Sequence, residues 1–307
     1  MHTFSDFDAW GDAVRGANLR LTCDAVEEPI WQLSARPVDD VVVQVAREGG
    51  GNLCYGGSLH PGLTLFMPVT TAGHYVCNGE RLDEQSILAI PPGADFRIYV
   101  HRKAHAWCSV ALPPDRFPWF PETTGMPRDS FLIRPPGDTV ARLRDLIRRA
   151  ALVPALDEPA TPAATVAARA LTAVATACLD PRPRIRPAPG RPQIDRWGII
   201  RGVHDLLDRG TVPRPTIAEI ATIVGVNERT LARAFHESFG VSPRVYLQLR
   251  LLHDVRRTLR RADVTTIARV LTMHGVWDFG RFGIRYRRQF GETMSETVGR
   301  RRVGGRR

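Results

Sequence analysis

The chain has 307 residues, enough for two domains at about 100–200 residues each. Its 43% hydrophobic and 24% charged residues make an ordinary globular balance, which excludes a fibrous or low-complexity polymer. The net charge is +10, carried by arginine apart from Lys103, and points to a polyanionic partner.

The opening stretch, MHTFSDFDAWGDAVRG, has no basic segment leading into an apolar run, so it does not read as a secretory signal. A short helix is expected over 5–15, with Trp10, Ala13 and Val14 on one face. From residue 19 to about 112 the pattern changes to short apolar runs, at 40–45, 63–69, 87–90, 96–100 and 107–112. Gly49-Gly50-Gly51, Asn78-Gly79 and Pro91-Pro92-Gly93 are read as turns between them. Short strands with turn signals at this spacing predict an antiparallel barrel or sandwich. Helical patterns follow at 138–152, with Val140, Leu143, Leu146, Ile147 and Ala150 on one stripe, and at 160–179. The second, alanine-rich and broken by Arg169, is a poor membrane span. This helix pair suits packing within the domain and also offers a dimer surface.

Chemistry-bearing residues in this half are scattered. His60, His74, Glu80, His101 and His105 form no compact metal-ligand pattern, so surface or hydrogen-bonded histidines are the favoured reading. Trp31, Phe66, Tyr75, Phe96 and Trp107 suit either a ligand cavity or a plain core. The cysteines, Cys23, Cys54, Cys77, Cys108 and Cys178, include no CxxC pair, so neither a zinc site nor a thioredoxin-like pair is signalled. Cys108 could serve as a redox sensor, but a small buried hydrophobe is the commoner role. No Ser-His-Asp, Walker or GxGxxG pattern appears, so the chain is not read as an enzyme, and no cofactor is expected. The expectation is a cytoplasmic protein with reduced thiols.

Residues 180–192, DPRPRIRPAPGRP, hold five prolines and four arginines and form the clearest linker. Before it the net charge is −4; after it 22 arginines face 11 acidic residues, net +11. A basic module joined to an acidic one is what a nucleic-acid-binding domain with a separate sensing or assembly domain would produce.

The basic part repeats itself. In TIAEIATIVGVNERTLARAFHESFG, residues 216–240, a first apolar stripe of Ile217, Ile220 and Ala221 ends before Gly225. Asn227 then caps a second helix whose Leu231, Ala234 and Phe235 face inward and which stops at Gly240. Two short helices about a glycine-containing turn are the helix-turn-helix signature. At an offset of 50, Ile217, Ala218, Ile220, Gly225 and Val226 match Ile267, Ala268, Val270, Gly275 and Val276. At 51, Leu231, Phe235, Phe239 and Gly240 match Phe282, Tyr286, Phe290 and Gly291. A second motif therefore spans 266–291, with one extra residue in its turn. Between the motifs, Ser242-Pro243 opens a helix over 244–261 with Val245, Leu249, Leu252, Val255 and Leu259 on its apolar face. At 1.5 Å per residue it is a rod of about 27 Å, suited to holding two recognition helices in successive major grooves.

Residues 193–300 resemble the AraC/XylS family of transcription regulators. The resemblance covers roughly a third of the chain and includes both motifs and the bridging helix. GVWDFGRFGIRYRRQFGET and NERTLARAFHESFG are most similar to the branch containing the ethanolamine-utilisation regulator. The family usually has Pro where this chain has Met294, and an aromatic residue where it has Thr297. Gly280 and Gly283 are further departures, each costing up to ~1 kcal/mol inside a helix.

The resemblance implies an α+β protein: a mainly antiparallel, barrel-like sensory and dimerisation domain over 1–179 with flanking helices, and an all-α DNA-binding domain over 193–300. Carried over residue by residue, base-reading positions fall on Arg229, Ala232 and Arg233 in the first motif, with Asn227, Thr230 and His236 around them. Arginine can pair bidentately with guanine, and alanine can touch a thymine methyl. In the second motif they fall on Arg281, Gly283 and Ile284, while Arg287 and Arg288 suit phosphate. The first motif is thus expected to read bases and the second to add affinity and shape readout. Residues 301–307 are expected to form a disordered basic tail. Expected partners are double-stranded DNA, RNA polymerase, a small-molecule effector and a second copy of the chain, with no membrane. The branch implies ethanolamine or cobalamin as effector. Two other readings are a weakly specific architectural DNA binder, and a metal- or cysteine-dependent barrel enzyme fused to a DNA-binding module.

Overall fold

The computed structural model describes residues 1–70, 72–116, 130–152, 161–179, 196–210, 214–261 and 266–304. The linker expected over 180–192 lies outside them. The chain divides into two compact units, Met1–Pro189 and Gly190–Arg307.

The first unit opens with β1 (His2–Phe4), α1 (Phe7–Gly11) and two long strands, β2 (Ala17–Val38) and β3 (Val41–Ser58). There follow β4 (Leu63–Pro68), β5 (Tyr75–Cys77), β6 (Glu80–Arg81), β7 (Ile87–Ile90), β8 (Asp95–Val100), β9 (His105–Leu112) and β10 (Phe131–Ile133). Helices α2 (Thr139–Leu152) and α3 (Pro162–Cys178) complete it. Among the described residues the strands form one antiparallel sheet, in the order β10-β7-β4-β9-β3-β8-β5-β6, with β1 and β2 on the other side of β3. Strand β3 changes partner along its length: Val42 to Glu48 pair with β9, and Asn52 to Gly57 pair with β8. That exchange curls the sheet into a half-barrel.

Period-two alternation divides the core in two. On β9, Cys108, Val110 and Leu112 point to α2 and α3, where Val140, Leu143, Ile147, Leu171 and Ala175 are buried against them. Trp107, Ser109 and Ala111 point into the barrel. The thiols are packing groups. All five cysteines are free and buried, and burial pushes the Cys108 thiol up to about 12, the opposite of a reactive site.

Several local expectations meet their physical reasons here. Asn78 and Gly79, with φ of 52° and 89°, make the tight turn between β5 and β6. Gly93, with φ of 67°, turns the chain between β7 and β8. The glycine triplet is not a turn. It lies inside β3, where a Cβ on Gly49 would stand 1.7 Å from the Glu28 carbonyl oxygen, and one on Gly50 1.9 Å from that of Ala25. The triplet sits where β3 changes partners, beside the register shifts of β2 between Cys23 and Ala25 and between Val26 and Trp31. Helix α1 is shorter than expected, ending at Gly11, with Trp10 fully buried.

The second unit is helical: α4 (Arg196–Arg209), α5 (Ile217–Ile223), α6 (Glu228–Phe239), α7 (Pro243–Arg260), α8 (Ile267–Met273), α9 (Phe279–Phe290) and α10 (Met294–Gly304). The first part of the expected basic tail therefore continues a helix to Gly304, and 305–307 lie outside the described residues. Helix α7 is buried through Tyr246, Leu249, Leu252, Val255 and Leu259, whereas Val245, expected on that face, is exposed. Its first half packs with α4 and α6: Phe239 stacks on Tyr246, Phe235 meets it edge-on, and the Tyr246 hydroxyl is 3.1 Å from His204 Nε2. Its second half forms another core with Val270, Leu271, Phe282 and Tyr286. Among the described residues no helix is long and apolar enough to cross a membrane.

Candidate nucleic-acid interface and barrel cavity

The sequence repeat is a repeat of backbone geometry. Thr216 and Thr266 cap α5 and α8. Gly225 and Gly275 adopt φ of 73° and 65° in the two turns. Next in each motif, the Val226 amide donates to the Ala221 carbonyl at 2.9 Å and the Val276 amide to that of Leu271 at 2.8 Å. Asn227 and Asp278 then cap the second helices, accepting from the Thr230 and Arg281 amides at 2.8 and 3.0 Å. Left-handed Gly240 and Gly291, with φ of 65° and 69°, end them. The extra residue of the second turn lies before Asp278, which keeps the capping hydrogen bond while its ψ is 82° against 160° at Asn227.

On α6, Arg229, Arg233 and His236 are exposed, while Thr230 and Ala232 are half-buried. Asn227 is also exposed, with its side-chain oxygen engaged in the cap. Arg233 is not free-swinging. Its Nε donates to Glu237 at 2.8 Å, and Glu237 also pairs with Arg196 at 2.6 Å. On α9, Arg281, Ile284, Arg287 and Arg288 are exposed and Gly283 is half-buried. Arg281 pairs with its own cap, Asp278, at 3.3 Å. Trp277, which sequence reasoning passed over, is 76% exposed immediately before the α9 cap. With Ile284 it gives the second motif an apolar as well as a cationic face. A groove of about 1140 Å³ beside α7 includes Arg244, Gln248, Trp277, Arg281 and Arg285 in its wall. The Gln248 amide oxygen accepts from Arg285 at 3.0 Å, tying α9 to the bridging helix.

The departures at Met294 and Thr297 have a structural account. Thr297 is buried, and its hydroxyl meets that of Tyr286 at 2.8 Å and donates to Glu292 at 2.9 Å. Met294 packs on the second core, with its methyl carbon 3.8 Å from where a Cβ on Gly283 would stand.

The first unit has a site of another kind. A cavity of about 300 Å³ opens inside the half-barrel, walled by Trp10, Phe66, Tyr75, Phe96 and Trp107. Four of these are aromatic residues that the sequence offered for a cavity or a core; they serve as both. Trp31 instead packs behind, against Phe7 and Trp10. At the bend of β3, Glu48 is almost fully buried. Its Oε1 accepts from Trp107 Nε1 at 2.6 Å and lies 3.3 Å from His105 Nε2; Asn52 Nδ2 donates to Oε2. His105 Nδ1 donates to the Lys103 carbonyl at 2.9 Å. Burial alone would depress the His105 pKa, but the Glu48 carboxylate beside it holds it above the ordinary value. At the opposite end, Gln44 clamps Arg15 through its backbone amide and carbonyl, both at 3.0 Å, and the Gly16 carbonyl accepts from the Leu59 amide at 2.9 Å. Ser58 and His60 also line the cavity.

Sequence reading missed Glu48 and Asn52 because they flank a glycine run taken for a turn. The signal for them is polar Gln44 and Glu48 on the inward face of β3, among Val42 and Ala46. Among the described residues no group of three or more His, Cys, Asp or Glu is arranged to hold a metal ion.

Two tandem motifs on one rigid helix define a DNA-binding module. A helix-turn-helix domain model matches residues 220–300. The chain is 31% identical over 103 residues to the "Probable thc operon regulatory protein" of Rhodococcus erythropolis, covering 33% of this chain and 31% of that protein. It is 27% identical over 116 residues to the XylDLEGF operon transcriptional activator 1 of Pseudomonas putida, covering 37% and 33%. The matches thus span about a third of these relatives' own length. Among solved structures it is similar to the AraC-like transcriptional activator CuxR, at 15% identity over 84% of this chain and 91% of that one, with a TM-score of 0.40. Residues 220–300 thus form a helix-turn-helix domain similar to those of operon regulatory proteins.

Proposed function

We propose that the whole chain is a sequence-specific, effector-responsive transcription activator of the cytoplasm. The observation that carries this is the duplicated turn geometry on α7, which presents two recognition helices, α6 and α9, from one chain. In this reading Arg229, Ala232 and Arg233 touch base edges in one major groove, with Asn227, Thr230 and His236 at the margin. Arg281, Gly283 and Ile284 approach the next groove closely, and Arg287 and Arg288 hold phosphates. The 1–179 domain supplies the switch: its cavity takes the effector, and a second copy of the chain and RNA polymerase are the protein partners. A corrinoid is larger than this cavity, so of the two effectors implied by the branch resemblance only a small one could be enclosed.

Footprinting with the full chain tests this. A discrete protected site spanning about two helical turns, retained as salt rises until all binding fails, is expected. Protection that fades evenly with salt on every sequence would replace this reading with weakly specific, architectural binding.

A further inference from the structure

The cavity also indicates what chemistry it accepts; this step rests on reading it as the effector site. Its volume, about 300 Å³, equals that of roughly ten molecules of liquid water at ~30 Å³ each, so it suits a ligand of about ten non-hydrogen atoms. Its walls are aromatic, so most of that ligand is an apolar ring. The polar end is specific. Asn52 is 3% exposed, lines the cavity, and donates one amide N–H to Glu48; its Oδ1, like the cavity-lining Ser58 Oγ and His105 Nε2, has no hydrogen-bond partner among the described residues, and of the three it alone can only accept. A buried carbonyl oxygen left without a donor is costly, so the missing partner is an N–H or O–H group.

The charge of that group follows from its neighbours. Glu48 already faces His105 at 3.3 Å. With the His105 Nδ1 proton directed to the Lys103 carbonyl, one further proton between Nε2 and Glu48 leaves the pair without net charge, whichever of the two holds it. An ammonium ligand would enter beside a pair with no negative charge to spare, and no other carboxylate lines the cavity. A carboxylate ligand would meet Glu48 and the electron-rich aromatic faces of the wall; Arg15, the lining cation besides the histidines, is exposed.

We propose that the barrel cavity binds a compact, uncharged, ring-shaped ligand whose single hydroxyl or N–H group donates to Asn52 Oδ1 beside Glu48. This sets the effector class as an aromatic or alicyclic alcohol, phenol or amide, rather than an acid or an amine, and so excludes the ethanolamine that the branch resemblance implies.

The test uses the full-length protein and four probes of one shape: benzyl alcohol, benzylamine, benzoate and toluene. Binding is read from the intrinsic tryptophan fluorescence, to which the cavity-lining Trp10 and Trp107 contribute, and from the thermal midpoint. Benzyl alcohol should bind roughly tenfold or more tightly than each of the others, and Asn52→Leu should bring it level with toluene. Because Asn52 also supports Glu48, that variant could misfold. The ranking on the unaltered protein decides the matter by itself, and Ala111→Leu, which fills the cavity from another strand, should weaken all four probes. Tighter binding of benzylamine, benzoate or toluene would overturn the proposed chemistry while leaving the cavity as the effector site. If no probe binds, both the chemistry and the effector-site reading fall.

Discussion

Arg256, on the rod between the two motifs, is bound to Glu292 beyond the second one: Nε and one terminal nitrogen meet Glu292 Oε1 at 3.2 and 2.9 Å, and both side chains are buried. Arg300 reaches the other carboxylate oxygen at 2.8 Å, and the Arg256 guanidinium lies 4.8 Å over the Phe290 ring. This cluster fixes α9 and α10 onto α7 and hence the angle of the second recognition helix.

Removing one partner of a buried pair leaves an uncompensated charge. Glu292→Ala should therefore cost about 3–5 kcal/mol by denaturant unfolding of the full chain. Glu292→Gln, which keeps a hydrogen-bonding oxygen, should cost less. A loss under about 1 kcal/mol for the alanine variant would mean that the cluster does not hold the domain together.

Two glycine-to-alanine changes should have opposite signs. Gly50→Ala drives a methyl to 1.9 Å from the Ala25 carbonyl oxygen and should separate β2 from β3, with loss of the folded first unit by circular dichroism. Gly280→Ala meets nothing closer than the Asp278 carboxylate at 3.9 Å, so helix propensity governs it and should raise stability by up to about 1 kcal/mol. If operator affinity also falls in Gly280→Ala while stability rises, DNA approaches that backbone closely.

Base and phosphate contacts separate by their dependence on sequence and salt. Arg233→Ala should reduce affinity for the operator by about 1–3 kcal/mol more than for bulk DNA. Arg287→Ala should weaken both alike and reduce the salt slope by about 1. Equal losses in Arg233→Ala would place that side chain on phosphate, and its tie to Glu237 would then serve to orient it there.

The Glu48–His105 pair gives a stability window in pH. The groups facing His105 are Glu48, the Tyr75 ring and the Lys103 and Gly50 backbone. Its folded pKa is raised above 6.5, so the stabilisation is fully present below the ordinary histidine range and is lost as pH rises through the raised value. The thermal midpoint of the first unit should fall across that window, and Glu48→Gln should flatten the fall. An unchanged slope in the variant would show that His105 is not the group responsible.

The DNA-binding half was largely legible because its signals are local. Caps at Asn227, glycines at the turns and apolar residues at helical spacing act within a few residues of themselves, and their recurrence at offsets of 50 and 51 exposed both motifs. The barrel was legible only as a class. Residues 87–90 form a strand as their run of apolar side chains implied, but the triplet Gly49, Gly50 and Gly51 carries the same letters whether it turns or lets two strands touch.

The sequence alone determined two modules of opposite charge, a duplicated helix-turn-helix and a β-rich partner, since composition and periodicity are properties of the chain. The tertiary structure decided what those properties surround. Glu48, Asn52, His105 and Trp107 come from separate points of two strands and meet only because β3 exchanges one neighbour for another at its glycines. Likewise Arg256, Tyr286, Glu292 and Thr297 form one network only after three helices pack. Such long-range pairings depend on which surfaces are buried against each other, and no local spacing encodes them.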